Sequence, residues 1–171
     1  MAHGEAVAHP SARLQFLDTY QREHAITEKV LRAFPTDRGD FKPHERSNSA
    51  LQLAWTFVVE ERMMLTAVRG QEVLGGGFPP MPETMEGVLA TFAMQHEELV
   101  HALRDAYDAM MEGTVRFYTG PQQVGEYRTS TFLWFLLHDQ IHHRGQLSVY
   151  VRMAGGKVPS IYGPTADEPW R

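Results

Sequence analysis

Apolar residues recur one helical turn apart between residues 10 and 34, pairing Phe16 with Tyr20, Ile26 with Val30 and Val30 with Phe34. Pro35 then removes the donor that a helix would need to continue, so the spacing predicts a first helix that ends there, behind a loose tail over residues 1–9. The following stretch, "TDRGDFKPHERSNS", is polar and interrupted by glycine and proline. It reads as a connection, with Ser47 or Asn48 available to cap the next element. A second helix is expected from about residue 50 to 68, where Leu51, Trp55, Val58, Val59, Met63, Leu65 and Val68 make a broad apolar face, with Gly70 near its end.

The stretch "LGGGFPPMP" cannot be helical, because its glycines cost backbone entropy and its prolines lack donors, so it is a loop reaching between elements. A third helix is expected from about residue 83 to 111, stopped by Gly113. Short β-prone runs around a Gly-Pro in "TVRFYTGPQQVGEY" suggest a small hairpin or an extended crossover. The fourth helix has the strongest pattern, from about residue 129 to 154 with Gly155 and Gly156 as its stop; a proline-rich tail would then pack in extended form over the helices. Four long amphipathic helices without a convincing sheet predict an all-α fold, an antiparallel four-helix bundle with one connection long enough to cross over, and residues 1–171 as one domain.

Composition narrows the function more than the fold. A chain with 43% hydrophobic and 22% charged residues is ordinary globular material that can bury its own core. The net charge of −5 and the scattered basic residues leave no stripe to neutralise a phosphate backbone, which argues against nucleic acid as a partner. There is no cysteine, so disulfides, thiolate ligands and a cysteine nucleophile are excluded, and any metal must be held by nitrogen and oxygen. The start "MAHGEAVAHP" lacks the features of a signal peptide and no run approaches the ~20 apolar residues of a membrane span, so a soluble cytoplasmic protein without a membrane partner is the expectation.

Candidate chemistry is concentrated in "LLHDQIHHRG" on the fourth helix. His138 with His142 and Asp139 with His143 are each one turn apart, but the two pairs are rotated by about 100°, so only one can point squarely inward. Both faces carry apolar neighbours: Phe135 and Val149 beside the first pair, Phe132, Leu136 and Tyr150 beside the second. Gln146 adds a polar group next to the second pair. A buried Asp139 and His143 could share a divalent cation or simply hydrogen bond to one another, the latter being the commoner use of such a pair. A metal would need a further ligand from another helix, and on the second helix Glu60 is the suitable donor; the competing reading leaves it in solvent beside Glu61 and Arg62.

Other histidines offer less. "QHEELVH" has its second histidine five residues after the first, about 140° away from a zinc-protease arrangement. His96 lies on the apolar stripe of Phe92, Leu99 and Leu103 and reads as a satisfied core histidine; His3, His9, His24 and His44 show no partner pattern. The methionines fall at helical spacings and read as core filling.

The segment "HDQIHHRGQLSVYVRMAGGKVPSIYGPTADE" resembles the C-terminal signature of the DinB superfamily, which includes the YfiT-like proteins: a His-x-x-x-His-Arg-Gly-Gln helix and a "YGPSADE"-like tail. "RSNSALQLAWTFVVEE" is similar to that family's second helix, so the resemblance covers nearly the whole chain. It implies a metal-binding four-helix protein whose ion is held by one histidine of the second helix and two of the fourth. Alignment on "HRGQ" puts His143 and Asp139 at the two fourth-helix positions and Thr56 at the second-helix position, so one of the three histidines is retained. Glu60, His142 or water would have to complete a nickel or zinc site.

Two functions follow from the resemblance. In one, a metal-dependent enzyme of thiol-transferase or hydrolase-like type, the metal activates a low-molecular-weight thiol such as bacillithiol or mycothiol for attack on an electrophile, with Arg144 or Tyr150 binding an acidic part of that cofactor. In the other, the substitutions Thr56 and Asp139 mark a non-catalytic, metal-free, stress-associated binding protein. Either form would take a small-molecule ligand, and the apolar helix faces favour a homodimer.

Overall fold

The computed structural model describes residues 10–170; the tail read over residues 1–9, with His3 and His9, lies outside them. Helix α1 spans Ala12–Ala33, α2 Ala50–Val68, α3 Met85–Asp105 and α4 Thr129–Met153, and between the last two the strands β1, Thr114–Gly120, and β2, Gln123–Arg128, form a hairpin. The chain is therefore mostly helical but not all-α. In the hairpin Thr114 pairs with Arg128 and Tyr118 with Val124, and Gln122 takes the left-handed conformation (φ 59°) that its tight turn requires.

Local chemistry explains the helix ends. Ser11 caps α1, its side chain accepting from the Leu14 amide. The cap of α2 is Ser49, one or two residues beyond the expected Ser47 or Asn48, because Gln52 three residues on completes a capping box with it. The third helix stops at Asp105, short of the expected residue 111. Arg13 of α1 donates to the carbonyls of Leu103 and Arg104 and also pairs with Asp108, so a residue distant in sequence satisfies the helix end there. A 3-10 turn over Asp108–Glu112 carries the chain into β1. At the end of α4, Gly155 adopts φ 89° and turns the chain into the C-terminal segment.

Each helix packs chiefly against two others: α1 and α2 both contact α3 and α4. The buried apolar residues form two clusters at opposite ends. One holds Phe16 and Tyr20 of α1, Met64 and Leu65 of α2, Leu99 and Leu103 of α3, and Phe132 and Leu136 of α4. The other holds Val30 and Phe34, Leu53 and Phe57, Val88 and Phe92, and Leu147 and Val151 of the same helices in order. Thus α1 and α4 run one way and α2 and α3 the other, so the crossover connection expected from the sequence is the one between α2 and α3. It covers residues 69–84. Helix α2, with 19 residues, is about 28 Å long, and an extended chain covers that in about nine residues, so the Gly/Pro segment returns to the start before α3 begins.

Between the two clusters lies a layer of polar side chains: His24 and Thr27 of α1, Glu60 and Glu61 of α2, Gln95 of α3, and Gln140 and Arg144 of α4, all buried, with His96 half-buried beside them. Arg144 is 1% exposed and ties three segments together. Its guanidinium pairs with Glu23 at 2.8 Å, donates to the Glu23 carbonyl and to Thr27, and meets the Tyr162 hydroxyl of the C-terminal segment. That segment is also held by Arg152 on Asp167 and by Lys29 on Glu168. No helix among the described residues is long and apolar enough to cross a membrane.

Candidate metal centre

In the polar layer, the packing of α2 on α4 brings Glu60 to Asp139 and His143. The Nε2 atom of His143 lies 3.5 Å from Glu60 Oε1 and 3.6 Å from Asp139 Oδ2, and one ligand atom from each of the three residues falls within 4.8 Å of the others. Such separations are too long for good hydrogen bonds. They approach the roughly 3.0–3.5 Å between donors that share an ion at ~2.1 Å.

Glu60 is 2% exposed, and neither of its carboxyl oxygens receives a hydrogen bond from the described residues. Burial, then the neighbouring Asp139 and Glu61 carboxylates, push its pKa up to about 10. In the absence of a cation Glu60 carries a proton; a divalent ion could take that proton's place. His143 is oriented toward the same point. Its Nδ1 lies 3.1 Å from Gln146 Oε1, so Nδ1–H donates there and the Nε2 lone pair faces the two carboxylates. The Gln146 amide nitrogen in turn lies 3.0 Å from His142 Nε2.

The inward pair on α4 is thus Asp139 with His143. His138 and His142 are exposed, and His142 is not among the three converging residues. Thr56, half-buried one turn before Glu60, donates its hydroxyl to the Gln52 carbonyl at 3.2 Å. Tyr150 and His143 both line an open groove of about 430 Å³, together with Asn48, Leu53, Gln146 and Val149, and the Tyr150 hydroxyl donates to the Asn48 carbonyl. Arg144 points the other way, into the Glu23, Thr27 and Tyr162 cluster, so the expected contact with an acidic cofactor group has no basis in its position. A larger cavity of about 530 Å³ opens beside Asp37, Lys42 and Glu86, but none of the three converging residues reaches it.

A second group was not foreseen from the sequence. His24, Glu61 and His96 come together from α1, α2 and α3. Burial lowers both imidazoles to about 4, keeping them neutral at pH 7, and burial raises the Glu61 carboxyl well above the usual range. The sequence cues were the place of His96 on an apolar stripe and Tyr20, a turn before His24, which offers a hydroxyl on the same face.

The sequence model of the DinB family matches residues 8–170. The uncharacterized protein YrdA of Bacillus subtilis is 31% identical over 155 residues, which is 90% of this chain and 89% of YrdA. Among solved structures, a DinB-like protein from Bacillus cereus superposes with a TM-score of 0.71 at 23% identity, covering 86% of this chain and 95% of that one. The DinB-like protein YjoA of Bacillus subtilis gives 0.68 at 17% identity, covering 86% and 96%. At those identities the two structures speak to the fold.

Proposed function

The chain belongs to the DinB family, and from that premise we propose that Glu60, Asp139 and His143 hold a divalent metal, nickel or zinc, in a DinB-type four-helix bundle. We propose further that this metal serves transfer of a low-molecular-weight thiol to an electrophile. The observation that carries the metal reading is Glu60: a buried carboxyl, without a donor for either oxygen, facing a carboxylate and an imidazole lone pair. The donor set of one nitrogen and two carboxylates suits such an ion, and Glu60 takes over from the histidine that Thr56 replaces.

When bound, the ion supplies a Lewis acid that lowers the pKa of a thiol, so that thiolate is available at neutral pH. The protein's own residues do the rest. Gln146 fixes the tautomer and orientation of His143. The groove beside His143 seats the small molecule, with Leu53 and Val149 against its apolar part and Tyr150 held in place through Asn48. Exposed Phe135 and Met153 on the outer side of α4 support a homodimer, which size-exclusion chromatography with light scattering would test.

The activity test is transfer of bacillithiol to monochlorobimane by tag-free protein loaded with zinc or nickel. A rate above that of the free metal, abolished in His143→Ala, is expected. A loaded chain that adds nothing to the background rate would overturn the transferase reading and favour the non-catalytic one, to which Thr56, with its hydroxyl turned back to its own helix, already lends some support.

A further inference from the structure

On the other side of α2 from the Glu60 centre, Glu61 is 0% exposed. Its Oε1 accepts the Tyr20 hydroxyl at 2.6 Å and lies 2.8 Å from His24 Nδ1, while Oε2 is buried without a partner among the described residues. His96 Nδ1 lies 3.0 Å from the Tyr20 oxygen. The single hydroxyl proton of Tyr20 goes to Glu61, so His96 donates to Tyr20. The two imidazoles stack at 3.6 Å between centroids, and His24 stacks on Phe92 at 4.2 Å.

This arrangement is incomplete as a hydrogen-bonded core. Two stacked rings at that distance disfavour two imidazolium charges, and among the described residues the only basic group paired with Glu61 is His24. A fully buried carboxylate is costly without a cation. Each of the same three residues has a nitrogen or oxygen able to ligate a metal within 4.8 Å of those of the other two. Tyr20 and Phe92 brace two of them, as groups around a metal ligand commonly do.

We infer that His24, Glu61 and His96 form a second divalent-cation site, built by α1, α2 and α3 and separate from the one between α2 and α4. Its nitrogen-rich donor set suits zinc. The half-buried His96 is its most accessible member, and an ion entering there separates the two stacked rings enough to lie between their lone pairs and the Glu61 carboxylate.

The test is zinc stoichiometry by native mass spectrometry on tag-free protein in a His142→Ala background, which removes the exposed pair on α4. The expected count is two zinc ions per chain, falling to one in His143→Ala and to one in His96→Gln. Because His143 lies outside the cluster, a His143→Ala protein that still holds one zinc supports the site even if His96→Gln fails to fold, and one that holds none overturns it. A second zinc that persists in a folded His96→Gln protein also overturns it, leaving Glu61 as a carboxyl that keeps its proton. A single zinc lost only in His96→Gln would uphold this site while removing the Glu60 reading, so the two proposals fail separately.

Discussion

Glu60 and Glu61 are consecutive on α2 and both buried, yet they serve different neighbours: Glu60 faces His143 of α4, and Glu61 faces Tyr20 and His24 of α1. A helix turns about 100° per residue, so two adjacent side chains reach two of the spaces between its neighbours. The polar layer owes its two separate centres to that rotation. The two apolar clusters on either side supply the stability that such a layer costs, with fully buried Phe16, Phe57, Phe92 and Phe132 contributing about 2–3 kcal/mol each.

The metal-free protein should lose stability as pH rises from 7 to 9. Glu60 is raised to about 10 from an ordinary 4.5, and Glu61 is raised too, so over this range the folded state binds protons that the unfolded state has released. Below 6.5 the trend is offset, because His24 and His96, lowered to about 4, bind protons when unfolded and not when folded. Urea midpoints should therefore fall between pH 7 and 9, with Glu60 contributing less than about 1.4 kcal/mol per unit. Glu60→Gln should flatten part of that slope, and equal slopes in parent and variant would contradict the assignment.

Gln146→Leu should leave the fold intact and weaken metal binding. Gln146 is exposed and accepts from His143 Nδ1, so its loss frees the imidazole to rotate and change tautomer. A reduction of about 10–100-fold in zinc affinity is expected by competition with a chelator dye. Unchanged affinity would mean that His143 is oriented by something else.

Arg144→Met should destabilise by roughly 3 kcal/mol, since it removes the cation paired with Glu23 at the edge of the core and leaves Tyr162 held by its hydrogen bond to Glu23 alone. Thermal melting should show the loss, and proteolysis should cut the C-terminal segment earlier. Metal content in the folded protein should not change. A variant as stable as the parent but deficient in ligand binding would return Arg144 to the role first expected of it.

Much of the fold was legible because it depends on local pattern. The bounds of α2 and α4, the turn chemistry of the hairpin and the helix stop at Gly155 all follow from nearby residues. The end of α3 was not, because Arg13 of α1 sets it. A crossover connection was legible from loop length, but that the Gly/Pro connection is the one that gives α2 and α3 a shared direction was not, because composition does not reveal how far a loop travels. On α4, apolar residues on both flanks concealed which pair faces inward, and Gln146 does not separate the pairs, since it contacts both His143 and His142. The second cluster was hidden for a further reason: His24, Glu61 and His96 sit singly on three helices, with no spacing to connect them.

Ser49→Ala tests the local account of α2. Removing the hydroxyl breaks the capping box with Gln52 and should cost about 1 kcal/mol in chemical denaturation. Ser47→Ala and Asn48→Ala should cost less, and equal losses at all three positions would argue against Ser49 as the cap.

The central claim is that Glu60, Asp139 and His143 hold one ion, and anomalous diffraction at the zinc edge from crystals of zinc-loaded protein tests it most directly. A peak about 2.0–2.2 Å from a Glu60 oxygen, an Asp139 oxygen and His143 Nε2 is expected. Well-ordered side chains with no peak between them, or zinc only on the exposed His138 and His142, would contradict it.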